Sequence, residues 1–392
     1  MAKITDVLSI MREFAPEDKT EPDFTDNVGL LVGSERGNTD KVLLCLDATE
    51  NVVSEARDLG AKLIISHHPI IFNPIKRVDD NTPTGRTIIE AIRSDIAIYS
   101  AHTNLDFCDG GINEYVSELI EMTDSIPLSV KSGINIGRSG KVKQTTLSAL
   151  ADKLALRFND KNVSFVGKGT EKINNVAVIN GGGGNIEFVD LAMNSGADCY
   201  VSADFPHHVR LYSAQSGFPL IIMQHYTMEA IYIKRLAEIL TDIGKTHMAM
   251  AFGRAVCEHR MKAYFLKATE LNQKLTNARK YGNVASITNG LVRPSCLIID
   301  EVGRCVFDEA NTQIFFDIVD RRSNKEGPNC MIFTSNKNPS TWGKYFIEQD
   351  SLLCALDRFF DDSMVFMIKG ESYRGRKTET ISLEAGTSKS IK

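Results

Sequence analysis

The sequence predicts an α/β fold whose first part is built on a largely parallel sheet, and three observations carry that expectation. Short apolar runs such as residues 61–65 and 96–99 alternate with stretches of helical spacing, the pattern of parallel strands joined by right-handed crossovers. The alternation starts again near Lys143 as a second α/β set and changes texture near Thr241, so the chain divides into successive α/β regions. Histidines and acids gather just after the apolar runs, at the strand ends where open α/β sheets bind ligands.

Taken in order, residues 3–15 carry Ile4, Val7, Leu8, Ile10 and Met11 at helical spacing, and Pro16 stops the helix. Residues 26–33 form a polar turn leading into a glycine-bounded strand, 41–46 a second strand and 50–59 a helix. The strand at 61–65 ends in SHHPIIF, Ser66 to Phe72. A helix at 87–92 and a strand at 96–99 lead to AHTNLDF, and 111–120 is helical. In the second set, 145–158 reads as a helix, with strands at 163–166 and 175–179. Residues 180–185, Asn-Gly-Gly-Gly-Gly-Asn, precede a helix at 186–193. Such a loop can cradle an anion, but a tight turn needing positive φ is the stronger reading. Strands at 199–202 and 220–223 and a helix at 226–240 complete this half. Beyond it, a helix from Asp242 to Val256 and strands at 262–266, 297–301, 332–336 and 364–368 are expected. Residues after Lys377 read as polar and frayed, with 381–392 a disordered tail.

A length of 392 residues accommodates two or three domains, and a net charge of −5 gives no global pull toward nucleic acid. No apolar run reaches membrane-spanning length, and acids stand where a signal peptide would be apolar, so a cytoplasmic location and no membrane contact are expected. The eight cysteines are scattered with no C-x-x-C pair, as for buried thiols in a reducing compartment.

The chemistry gathers in three segments. His67 and His68 are adjacent, His102 and Asp106 are four apart, and His225 and Glu229 stand at helical i,i+4 spacing. Two cations about 3.5–4 Å apart need roughly six protein ligands held on rigid elements, and these residues supply that set. Mixed nitrogen and oxygen donors suit Zn, Fe, Mn or Ni better than Ca. Each histidine taken alone is more often structural, so the joint pattern carries the metal reading.

In order and spacing, DNVGLLVG, SHHPIIF, AHTNLDF and QHYTMEA resemble the NGG-interacting-factor-like family, also called GTP cyclohydrolase 1 type 2, over residues 1–240. The resemblance implies two related α/β lobes, 1–125 and 126–240, around a metal-containing cleft. It implies a dinuclear centre held by His67, His68, Asp106, His225 and Glu229, with His102 also at the site. It further implies a homohexamer, and metal-dependent hydrolysis of a small molecule with GTP as candidate, Glu229 and His102 moving protons. Two departures stand out. Thr25 replaces an aromatic before DNVG, and residues 202–208 replace a T-G-E-like turn. There Asp204 is placed to take the acid's role, while His207 and His208 either reach the cleft or begin a surface helix near Pro206.

Gly244-Lys245-Thr246 has the form of a phosphate-loop tail, with Lys245 for phosphates and Thr246 for Mg²⁺, but Ile239 stands where the loop's first glycine belongs. LIIDE supplies Asp300 and Glu301 as a Walker B strand, and Asn336 ends the next strand as a water-positioning residue. GKTHMAMAFG, LIIDEVG, FTSNKNPSTWG, LDRFF and IKGESYRGR resemble the IstB-like transposition-helper ATPases of the AAA+ class. The resemblance makes 241–380 a truncated ATPase domain. Arg358, Arg321 and Arg322 become candidates for nucleotide sensing, with surface salt bridges favoured for the last two. With half the phosphate loop missing, Mg-ATP binding is expected to be absent or weak, and DNA or transposase contact is not expected. The competing readings of the whole chain are a non-catalytic metal-binding scaffold and an ATP-dependent transposition helper.

Overall fold

The structure is a computed structural model that describes residues 2–20, 26–129, 133–346, 364–372 and 378–387. The chain forms two compact units, Met1–Glu238 with Gly370–Ser382, and Ile239–Lys369 with Leu383–Lys392.

Two sheets organise the first unit, and they share one plan. In the first, Lys41–Asp47, Leu63–His68 and Ala97–Ser100 run parallel, and Gly29–Val32 closes one side antiparallel. In the second, Lys172–Val178, Cys199–Ser202 and Leu220–Ile222 run parallel between antiparallel Asn135–Thr146 and Ser164–Val166. The parallel centres follow from their sequences: Val42 to Leu46 and Leu63 to His67 are buried throughout, as strands covered on both faces must be. Helices between them start and stop as local chemistry dictates. Thr49 caps Glu50–Leu59 through its hydroxyl and Gly60 ends it in the left-handed region, while Thr82 caps Pro83–Arg93, with proline in its first turn.

Three sequence expectations need correcting here. The sheets are mixed, because Thr123–Ser129 and Asn135–Thr146 pair antiparallel. Thr123–Ser129 is mostly exposed and Asn135–Thr146 buries only Ile136, Gly137 and Ser139, so no apolar run marks them. Thr378–Thr387 is a strand, not the start of a disordered tail, and Thr378–Ser382 pairs antiparallel with Lys41–Cys45. Alternation of Ile381, Leu383 and Ala385 with polar residues is the signal for it. Third, the helices expected at 226–240 and 242–256 are His225–Ala230 and a 27-residue helix, Tyr232–Glu258, that runs without a break through Ile239 and Gly244. One glycine costs a helix interior only about 1 kcal/mol, too little to stop it.

In the second unit three parallel strands, Ala263–Lys267, Cys296–Asp300 and Cys330–Phe333, are joined by the helices Ala268–Tyr281, Val284–Val292 and Glu309–Ser323. Leu271, Leu275, Leu297, Phe307, Phe315, Trp342 and Phe346 fill its core. No helix among the described residues is long and apolar enough to cross a membrane.

Candidate metal centre

The C-terminal ends of parallel strands from both sheets converge on one group of side chains. His67 and His68 end Leu63–His68. Ser66 donates to the His68 carbonyl (2.9 Å) and Ser100 to the His67 carbonyl (2.9 Å), curling and anchoring that strand end. His102 follows the next strand, and the short helix Thr103–Phe107 carries Asp106 one turn on. His225 and Glu229 lie on one face of His225–Ala230. The ring centroids of His67 and His68 are 5.1 Å apart, those of His67 and His102 5.3 Å, and those of His68 and His225 5.5 Å. Glu229 is buried among them. Its Oε1 lies 2.8 Å from His225 Nε2 and 3.4 Å from His67 Nε2, and its Oε2 lies 3.0 Å from His68 Nε2. Asp106 Oδ1 is 3.9 Å from His67 Nε2. All six residues singled out from sequence are therefore brought together.

The other nitrogen of each ring is engaged. His67 Nδ1 is 2.8 Å from the Ala101 carbonyl, His68 Nδ1 2.8 Å from Asp47 and His102 Nδ1 2.7 Å from Asp26. His225 Nδ1 is 2.5 Å from Asp204. A carbonyl or carboxylate accepts only, so Nδ1 must carry the proton, and the neutral ring then presents the Nε2 lone pair inward. His67 Nε2 is buried without a hydrogen-bond partner. Among the described residues, His67, His68 and His102 form one group whose donor atoms lie within 4.8 Å of one another, and His68, His225 and Glu229 form another. Inward Nε2 atoms, converging carboxylates and an orphaned buried nitrogen are what a divalent cation needs, so the residues fit such an ion.

Electrostatics point the same way. Burial opposes charge on His68, yet hydrogen bonds to Asp47 and Glu229 lift it to about 10, and Glu229 and Asp204 lift His225 to about 9 against the same penalty. Burial raises Asp106 to about 6, while Asp26, despite burial, is held at about 2 by His102 and Thr103. In the metal-free protein His68 and His225 thus hold protons at neutral pH that an incoming cation must displace. We expect metal affinity to rise with pH from 6 toward 9, with proton release on binding. Titration calorimetry in two buffers of different ionisation enthalpy reads that release directly, and a pH-independent affinity would contradict it.

Sequence reasoning missed the residues that hold the ligands in place. Asp47 ends a parallel strand, the position where open α/β sheets place functional groups. Asp160 is 1% exposed and far in sequence from the site. Its Oδ2 accepts from Gln224 N (2.8 Å) and Thr227 Oγ1 (2.9 Å), capping the helix that carries His225 and Glu229. Asp160→Ala should cost about 1–3 kcal/mol by leaving those donors unpaired. Asp160→Asn should recover part of it, as read by urea denaturation; equal stability of all three chains would exclude this role. Asn180 donates to Asp106 Oδ1 (3.0 Å). The glycine loop adopts the tight turn, with Gly181 at φ +66°. It also touches the site, because a Cβ on Gly181 would stand 2.5 Å from Glu229 Oε1. Asp204 lies against His225 Nδ1 (2.5 Å). His207 and His208 are exposed at the start of His207–Ser216, the surface-helix alternative.

The nucleotide residues are placed differently. Lys245 and Thr246 sit inside Tyr232–Glu258, and Thr246 donates to Asp300 (2.9 and 3.0 Å), which also accepts from Thr334. Asp300 is buried. Glu301, at φ +59°, lies 3.3 Å from Arg304 and 3.6 Å from Lys267, and Asn336 is exposed. Arg321 makes the expected surface pair with Asp317 (3.5 Å). Arg322 does not. It is buried, with its guanidinium donating to the carbonyls of Leu291, Val292, Pro294 and Cys330. Arg358 and Thr25 lie outside the described residues.

Fold and site together define a two-lobed α/β protein with an imidazole–carboxylate centre at its strand ends. The chain belongs to the Duf34/NIF3 (NGG1p interacting factor 3) family, whose model matches residues 2–256, and residues 237–380 match that of the IstB-like ATP binding protein. It is 33% identical over 240 residues to a GTP cyclohydrolase 1 type 2 homolog of Clostridium perfringens, covering 60% of this chain and 90% of the relative. A Lactococcus lactis protein of the same name is 33% identical over 241 residues, covering 61% and 91%. Among solved structures, a Staphylococcus aureus hypothetical protein superposes with a TM-score of 0.56 at 27% identity, covering 64% of this chain and 93% of that one.

Proposed function

We propose that residues 1–240 form a divalent-metal-dependent hydrolase acting on a nucleotide or related heterocycle, with residues 241–380 an ATPase remnant that does not bind Mg-ATP. The observation carrying the first part is the set of three Nε2 atoms, of His67, His68 and His225, around Glu229, with His102 beside them and each of the four rings backed at Nδ1 by a carbonyl or carboxylate. His67, His68, Asp106, His225 and Glu229 would hold the cations, with His102 beside them; Zn, Fe, Mn or Ni suit these donors. Bound cations supply Lewis-acid polarisation and acidify water. The chain's own residues do the rest. Asp26 fixes the tautomer and orientation of His102, which is less buried than His67 and so better placed to exchange a proton with substrate. Phe72, 39% exposed, lies edge-on to His102 at 6.0 Å and offers an apolar wall beside it. GTP is the first substrate to try, since the relatives' names point to it.

The same reading includes a cytoplasmic homohexamer, checked by light scattering on the full chain. Turnover is tested by loading purified protein with each metal in turn and following GTP and other nucleotides by chromatography. We expect metal-dependent product that disappears in His68→Ala. Stoichiometric metal without product on any nucleotide would reduce the reading to a metal-binding scaffold.

A further inference from the structure

Cysteines that look scattered in sequence are not scattered in the fold. Cys296 opens the central strand of the second unit and Cys330 opens its neighbour, and the two are directly opposite in a parallel ladder. Their side chains therefore leave the same face of the sheet, in one small apolar cluster with Ala249 and Ile298. Adjacent strands lie about 4.8 Å apart, inside the roughly 4.4–6.8 Å Cα window of a disulfide. Cys296 is fully buried, whereas Cys330 is half-buried.

Arg322 adds the charge. Its guanidinium donates to the Cys330 carbonyl (2.8 Å) and to three other backbone carbonyls, and its Nε is buried with no hydrogen-bond partner among the described residues. A buried cation surrounded by carbonyls favours an anion beside it, and Cys330 is the neighbouring group that can become one.

We propose that Cys330 and Cys296 form a thiol modification site, Cys330 the nucleophile and Cys296 the resolving thiol, that reacts with small hydroperoxides. The Cys330 thiol is pulled down to about 7, first by the adjacent Cys296 thiol and then, against burial, by Arg322; Cys296 is pushed up by the same neighbour and by burial. The Cys330 thiolate attacks a peroxide oxygen: the S–O bond forms, the O–O bond breaks, and the leaving oxygen takes a proton to depart as water or alcohol. Cys296, giving up its proton, then attacks the sulfenic sulfur and expels the hydroxyl as water. Two thiols and one hydroperoxide give one disulfide, one water and one further water or alcohol.

The test uses the full chain, reduced, freed of reductant and treated with hydrogen peroxide, then digested with trypsin without reduction. Cys296 falls in the peptide 281–304 and Cys330 in 326–337. We expect these peptides joined and two hydrogens lighter, separable by reduced glutathione, and absent in Cys330→Ser. In the untreated chain, Cys330 alkylation should rise with a midpoint near pH 7, a readout that needs no variant. Free thiols at both positions after other cysteines have oxidised, or Cys296 joined to Cys257, would overturn the proposal.

Discussion

Glu229→Ala is expected to weaken divalent-metal binding by at least about 100-fold, since even loss of a group behind a ligand costs 10–100-fold. Glu229 lies within 3.4 Å of three different Nε2 atoms, so its removal takes away the negative charge shared by His67, His68 and His225. In the metal-free chain the same change should lower the raised affinities of His68 and His225 for protons, because Glu229 contributes to both. Equilibrium dialysis with Zn²⁺ or Mn²⁺ followed by elemental analysis measures the loss. His207→Ala, on an exposed helix start, serves as the matched control and should bind as the parent does. Equal affinity in Glu229→Ala and the parent would remove Glu229 from the ligand set.

The second large effect is an absence. ATP should bind more weakly than about 1 mM, the level at which binding amounts to only some −4 kcal/mol. A phosphate loop works because consecutive backbone N–H groups point outward into a concave nest. Along Tyr232–Glu258 those groups are turned into the helix's own hydrogen bonds, and Thr246 donates to Asp300. Lys245 is left as a lysine on a helix. Lys245→Ala and Glu301→Gln should therefore leave fluorescent-nucleotide binding and metal content unchanged. Micromolar binding abolished by Lys245→Ala would show that a phosphate site forms after all.

Much of the centre was legible because its six inward residues belong to short motifs just after apolar runs, and strand ends are where α/β sheets place chemistry. Most of their supporting residues were not legible. Asp47 and Asp160 meet His68 and Gln224 only through tertiary folding, at separations of 21 and 64 residues, and no local pattern encodes such pairs. The missed strands Thr123–Ser129 and Asn135–Thr146 bury few residues, so the apolar signal that betrayed the parallel strands was missing. The long helix was divided wrongly because Thr241, Asp242 and Gly244 carry cap and breaker signals too weak, at about 1 kcal/mol for the glycine, to stop it. Arg322 looked like a surface residue because it follows Arg321 on a polar helix. Only the fold shows that the two face opposite ways, one to Asp317 and one into the carbonyls behind the Cys330 strand.

The most direct measurement is the metal content of the freshly purified full chain by mass spectrometry, beside His68→Ala prepared identically. We expect about two equivalents of divalent transition metal per chain in the parent, as a paired centre requires, and less than half of that in the variant. A parent that stays empty after incubation with Zn, Mn, Fe or Ni, or a variant that retains the full complement, would contradict the assignment of these histidines as a metal centre.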